Sequence, residues 1–184
     1  AAAAMVFSTC CGLLLGILMA VRRGTVLDRA GLALSTAGVS LPVFWLGLLL
    51  VYLFSLKLKW LPPAGMGQGS ILFLVLPASA LGLGSAAYLA RITRTGMLDA
   101  LSQAYITTAR AKGLSRWAVV FRHGLKNTLI PIVTLIGLDF GSYLNGAILT
   151  ETIFGWDGLG RFAVDGIFRR DYPVVLGSLY LFTL

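Results

Sequence analysis

The chain has 184 residues, 58% of them hydrophobic and 12% charged, with a mean hydropathy of +0.88. Soluble domains carry about 25% charged residues, so this composition excludes a chain whose whole surface meets water. The net charge of +8 does not indicate nucleic acid, because the basic residues stand between apolar runs, where the positive-inside rule places them in a membrane protein.

A helix that crosses a membrane needs about 20 mainly apolar residues. Residues 1–21 meet that requirement and stop at Arg22 and Arg23. Cys10 and Cys11 lie in this run. Adjacent cysteines bridge only with strain, so they read as two small buried side chains. A polar turn with Gly24, Asp28 and Arg29 follows. Residues 30–56 form a second run, which Pro42 should kink by removing one backbone donor. Lys57, Lys59, Trp60, Pro62 and Pro63 close it, with Trp60 reading as an interface anchor. Residues 70–90 form a third run, with Pro77 and a group of small residues that includes Gly82, Gly84 and Ser85. A long polar segment covers 91–127. The fourth run, 128–149, is entered through Pro131. Residues 151–171 are mixed, with a turn at Gly155-Trp156-Asp157-Gly158. A fifth run, 172–184, is too short to span by itself. The chain opens without an initiator Met and stops inside an apolar run, which reads as a fragment. The expectation is one all-α, polytopic membrane bundle over 1–184.

The basic residues set the orientation. Arg22, Arg23, Arg29, Arg91, Arg94, Arg110, Lys112, Arg116, Arg122 and Lys126 fall on one side, leaving five of the 15 Lys and Arg on the other. That bias puts 22–29 and 91–127 in the cytoplasm. The first run then enters from outside, so an earlier helix or an external N-terminus should precede it.

In the cytoplasmic segment, Asp99 should cap a helix over about 100–112. Gly113 should end it in a left-handed conformation. Ser115 should cap a second helix that leads into the fourth run. On the first helix Ala104, Thr107, Thr108 and Ala111 share a face of small side chains, with Tyr105 and Arg110 as larger contacts. Such a face suits close docking on a protein partner. The other reading is an amphipathic helix lying on anionic lipid.

Asp139 is an acid in the middle of an apolar run, which costs about 2.5–3.5 kcal/mol on insertion scales. It either lines a path through the membrane or is a hydrogen-bonded packing residue beside Gly137 and Gly141. Gly12/Gly16 and Gly137/Gly141 both have the GxxxG spacing that permits close helix contacts, a weak sign of a subunit contact. His123, the single histidine, has no second ligand near it in sequence, so no metal site is expected. There is no GxxxxGK[ST] loop to cradle a nucleotide, and no nucleophile–base or zinc-helix pattern for an enzyme.

The stretch Ala-Tyr-Ile-Thr-Thr-Ala-Arg-Ala-Lys-Gly-Leu from Ala104, the stretch Arg122-His-Gly-Leu-Lys-Asn-Thr-Leu-Ile-Pro131, and the later Leu149-Thr-Glu-Thr-Ile-Phe154, Gly158-Leu-Gly-Arg161 and Arg170-Asp-Tyr-Pro-Val-Val175 carry a resemblance. Together they resemble the permease subunits of bacterial ABC importers, in the branch that carries dipeptides, oligopeptides or nickel. The resemblance implies the type I, MetI-like permease fold in the bacterial inner membrane. It implies that Ala104, Tyr105, Thr107, Thr108, Ala109, Arg110, Ala111, Lys112 and Gly113 form the coupling helix that seats in an ATP-binding subunit. The general Glu-Ala-Ala motif falls here on Thr107, Thr108 and Ala109, so its acid is absent, a departure typical of this branch. Glu151, Trp156, Asp157, Arg161, Arg169, Arg170 and Asp171 then belong to an extracytoplasmic turn near the gate and the binding-protein surface. As single residues, these charges read as solvated loop groups and Trp156 as an interface anchor. The implied partners are a second permease, two ATP-binding subunits that hold ATP and Mg, a substrate-binding protein and the bilayer. No cofactor is implied on this chain. The expected function is uptake of short peptides. The alternatives are nickel or another small solute through the same machinery, an ion-coupled secondary transporter, and a membrane scaffold.

Overall fold

The computed structural model describes residues 1–144 and 148–183, and every regular element among them is helical. In chain order these are α1 (Ala2–Val21), α2 (Val26–Ser40), α3 (Val43–Leu50), α4 (Leu72–Leu101), α5 (Ala104–Ala111), α6 (Arg116–Ala118), α7 (Lys126–Leu144), α8 (Ile148–Phe154), α9 (Leu159–Arg169) and α10 (Tyr172–Thr183). A π-helical stretch, Val51–Lys57, prolongs α3, and another, Val119–Leu125, joins α6 to α7. Among the described residues, three helices are long and apolar enough to cross a membrane: Ala2–Val21, Leu72–Leu101 and Arg116–Tyr143.

The second run differs from its expectation. Pro42 does not kink one helix over 30–56. The helix starts earlier, at Val26, stops at Ser40 and restarts at Val43, so it counts as one span only as a broken pair. Pro42 has no N–H to donate and stands in extended backbone at the head of α3, a position where a helix loses nothing by a missing donor.

The third run also runs past its expected end. Arg91 and Arg94 do not stop α4, which continues to Leu101. A change from apolar to polar side chains alters the surroundings of a helix, not its backbone preference, and Arg, Leu and Met are all good helix formers. The fourth run likewise sits within a helix that begins at Arg116 with Pro131 inside it. Its expected end at 149 crosses residues 145–147, which lie outside the described residues.

The described chain divides into two compact units. The first comprises residues 1–7, 41–83 and 139–184. Its core is Phe154, Leu76 and Ala80, with Leu50, Val51, Phe54, Leu61, Ile153 and Trp156 packed around them. The second comprises residues 8–40 and 84–138. It contains two apolar clusters: Ile17, Ala20, Met97 and Val120, and then Ile106, Ala109 and Val119, with Leu101 packed on both.

Within the second unit, Gly12 and Gly16 explain how α1 approaches α4. A Cβ on Gly12 would stand 2.9 Å from the Ala86 carbonyl, and one on Gly16 would stand 2.7 Å from the Ala90 carbonyl. This GxxxG is therefore used inside the chain, whereas Cβ positions on Gly137 and Gly141 meet open space. Cys10 is exposed and Cys11 half-buried. The expectation of two buried thiols fails because the glycines, not the cysteines, occupy the packed face of α1.

Candidate functional site

The helix expected in the cytoplasmic segment is α5 (Ala104–Ala111), and its ends are set locally. The expected cap, Asp99, lies instead in the last turn of α4, where its carbonyl accepts from the Ser102 hydroxyl at 2.8 Å. Gln103, in extended backbone, opens α5 without a side-chain cap. At the other end Gly113 takes φ +75°, and its N–H donates to the Arg110 carbonyl at 3.0 Å. A residue with a Cβ pays about 1–2 kcal/mol in that left-handed region, which is why the sequence places glycine there. The Ser115 hydroxyl then accepts from the Ala118 N–H at 3.3 Å and starts the next helix.

α5 is anchored by two residues. Ile106 is 1% exposed and Ala109 6%, and both pack on Val119. Fully burying a side chain of the Ile class contributes about 1.5–3 kcal/mol, enough to hold a two-turn helix that would not persist alone. The remainder of α5 points outward. Ala104, Tyr105, Thr107, Thr108, Arg110, Ala111, Lys112 and Gly113 are all exposed. The small face of Ala104, Thr107, Thr108 and Ala111 is thus open along its length. Ala109 is the correction: it belongs to the chain's own core and is not a surface contact. Spacing explains this, since 106 and 109 are helical neighbours on the side opposite 104, 107, 108 and 111.

Two clefts flank α5. One, of about 570 Å³, has Leu98, Leu101 and Val119 in its wall and Arg23, Arg110 and Arg116 among its lining residues. The other, of about 440 Å³, is bordered by Tyr105, Thr108, Lys112 and His123. Tyr105 is fixed by the Asn127 amide, which donates to its hydroxyl at 2.8 Å. His123, half-buried, uses its carbonyl for the same amide at 2.9 Å.

A polar clasp that no sequence pattern marked joins the start of α2 to α4. Asp28, 2% exposed, accepts from Arg94 Nε at 2.6 Å, from Arg94 Nη2 at 2.9 Å and from the Gly24 N–H at 2.8 Å. The Arg94 guanidinium lowers the Asp28 carboxyl to about 2 against the opposing effect of burial, helped by the Gly24 N–H. Arg116 Nη2 donates to the Val21 carbonyl at 3.2 Å, meeting one of the orphan acceptors at the end of α1. Nothing local in the sequence names Arg94 as the partner of Asp28. The only signal was an acid placed in the first turn of a helix, just after Gly24.

The residues expected near an outer gate work largely on their own backbone. The turn falls where it was read, with Gly155 at φ +62°, but short helices lie on either side of it. The Glu151 carboxylate accepts from the Arg161 N–H at 3.1 Å. It lies over Gly158 and Gly160, so that a Cβ on Gly160 would stand 2.9 Å from Glu151 Oε2. Glu151 therefore supplies the N-terminal acceptor that Gly158, with no side chain, cannot give to α9. Asp157 and Arg161 form an i, i+4 pair at 3.1 Å. Arg170 ends α9 in a left-handed conformation, and Asp171 Oδ1 accepts from the Val174 N–H at 3.3 Å to start α10. Arg169 is exposed. Trp156 is half-buried on the Phe154 cluster with no hydrogen-bond partner for Nε1, whereas Trp60 is 68% exposed. Asp139 lies half-buried in α7.

The model of the family described as "Binding-protein-dependent transport system inner membrane component" matches residues 12–184. The chain is 44% identical over 205 residues to the di/tripeptide transport system permease protein DppB of Pseudomonas aeruginosa (strain UCBPP-PA14), with 97% of this chain and 61% of the relative covered. It is 45% identical over 180 residues to the glutathione transport system permease protein GsiC of Escherichia coli (strain K12), with 98% and 58% covered. The GsiC of Salmonella typhi matches to the same extent. The chain thus spans 58–61% of the length of these curated relatives.

Proposed function

Because the chain belongs to the family of binding-protein-dependent transport system inner membrane components, we propose that it is part of the permease subunit of an ABC importer that takes up short peptides. The relatives named for di/tripeptides and for glutathione support that substrate class. In this reading α5 is the element that a soluble ATP-binding subunit grips. One observation carries it: a two-turn helix, fixed from beneath by Ile106 and Ala109, holds its small-residue face open between two clefts. Small side chains let a partner's surface approach the backbone closely, while the buried pair transmits the contact to α4 and the helix that begins at Arg116.

Motion is then a switch between packed arrangements, because packed helices have discrete rather than continuous states. ATP is hydrolysed on the partner, and this chain supplies the path and the lever. A substrate-binding protein would deliver the peptide on the far side of the membrane.

The test is uptake by the reconstituted full complex, comparing a labelled dipeptide, labelled glutathione and labelled nickel with and without ATP. ATP-dependent uptake of the peptides, lost when residues 104–113 are replaced by a glycine-serine linker, is the expected result. Uptake that follows an ion gradient and ignores ATP would sink the proposal.

A further inference from the structure

The first cytoplasmic turn, residues 21–28, is held from two sides. Arg94 closes a two-point ion pair on Asp28 at 2.6 and 2.9 Å, and Arg116 holds the Val21 carbonyl at 3.2 Å. Arg94 lies in α4, which leads into α5, and Arg116 opens the helix that leads out of it. The entry to α5 and its exit are therefore both tied to the same turn, between α1 and α2.

The chemistry of these ties differs from that of the surrounding core. Ile17, Ala20, Met97 and Val120 hold α1 near α4 and the Val119–Leu125 stretch by apolar contact, which has no direction and tolerates sliding. A bidentate guanidinium–carboxylate pair fixes orientation as well as distance. The Asp28 side chain is 4% exposed and that of Arg94 17%, so separating them would strand a charge away from water, a strongly unfavourable state. α1 and α2 therefore cannot lag behind α4 at low cost.

We propose, resting on the reading of α5 as the ATPase contact, that Asp28, Arg94 and Arg116 form a clasp that carries displacement of α5 into α1 and α2. The three are positioning residues. They touch neither nucleotide nor substrate, and they decide how much of the membrane core moves when α5 is pulled. The clasp makes α1 and α2 follow the two helices that flank α5.

The experiment uses the full-length permease in its complete complex, reconstituted in proteoliposomes. It reads dialanine or glutathione uptake per ATP hydrolysed in Asp28→Asn, Arg94→Gln, Arg94→Lys, Arg116→Gln and the charge swap of Asp28→Arg with Arg94→Asp. Asp28→Asn and Arg94→Gln should assemble and hydrolyse ATP while uptake per ATP falls about tenfold, inside the roughly 5- to 150-fold range of coupling between sites. Arg116→Gln should lower it about fivefold, the equivalent of one ordinary hydrogen bond. The swap should recover part of the loss. A purely structural role would lower assembly and both activities together, leaving the ratio unchanged, and that result overturns the proposal. If the buried variants fail to assemble, Arg116→Gln and Arg94→Lys decide: a wild-type ratio in both overturns it, and a reduced ratio supports it. Should wild-type α5 bind no ATPase subunit, the reading of α5 fails and the clasp with it. Should the ATPase bind α5 while every assembled variant keeps the wild-type ratio, the clasp alone fails.

Discussion

Two stretches of short helix interrupt the long apolar ones, α5 with its flanks and the pair α8–α9, and they use their polar groups in opposite ways. In α8–α9 the groups are turned on the chain itself. Glu151 caps α9, Asp171 caps α10, and Asp157 pairs with Arg161. In α5 the polar and small groups face outward, and two apolar residues hold the helix down. Charge in a loop therefore does not by itself mark a contact surface. What marks one is a helix whose anchoring is apolar and whose exposed side is shaped for something else. That contrast supports the proposal of α5 as the interaction element, and it makes Glu151 first a structural residue.

The largest effect is expected at Gly113. Pro fixes φ near −65° and cannot adopt the observed +75°, so Gly113→Pro should cut uptake to background while the protein still inserts and purifies. Normal transport by that variant would remove α5 from the mechanism. Next comes a pair of bulky substitutions on opposite sides of α5. Ala104→Trp, on the exposed face, should block recovery of ATPase subunits with thermal stability unchanged. Ala109→Trp should instead destabilise the permease by about 1–3 kcal/mol through overpacking, seen as a lower melting temperature in detergent. Identical behaviour of the two would mean that α5 has no distinct outer face. Ile106→Ala should cost about 2–5 kcal/mol as a large-to-small change in a packed site.

In α8–α9 the effects should be smaller and confined to stability. Glu151→Ala removes the acceptor at the start of α9 and should cost about 1 kcal/mol, with little change in uptake per ATP. A transport defect without a stability loss would make Glu151 a contact residue after all. Acidification probes the clasp in the second unit. The Asp28 carboxyl titrates lower in the folded chain, at about 2, than its ordinary value of 3.8. Its contribution is therefore complete above about 4 and fades as pH falls toward 2. The difference in melting temperature between wild type and Asp28→Asn should narrow over that interval, and a constant gap would show that the pair is not the cause. Asp157→Asn should be smallest, below about 0.5 kcal/mol, because its side chain is 81% exposed and surface pairs contribute little.

Sequence alone settled what depends on a few consecutive residues. Apolar runs of membrane length, the Gly113 terminator, the Ser115 cap and the Gly155 turn are written in local composition and backbone preference, so they were readable without a partner in space. The family followed from motifs spread along the chain. Tertiary structure decided the rest. It placed Arg94 on Asp28, turned Ala109 inward, laid Glu151 over the start of α9, and carried α4 past its charges to Leu101. Each of those outcomes depends on which distant segment supplies the neighbouring atoms. A side chain's role is set by those atoms, and no local pattern of residues specifies them.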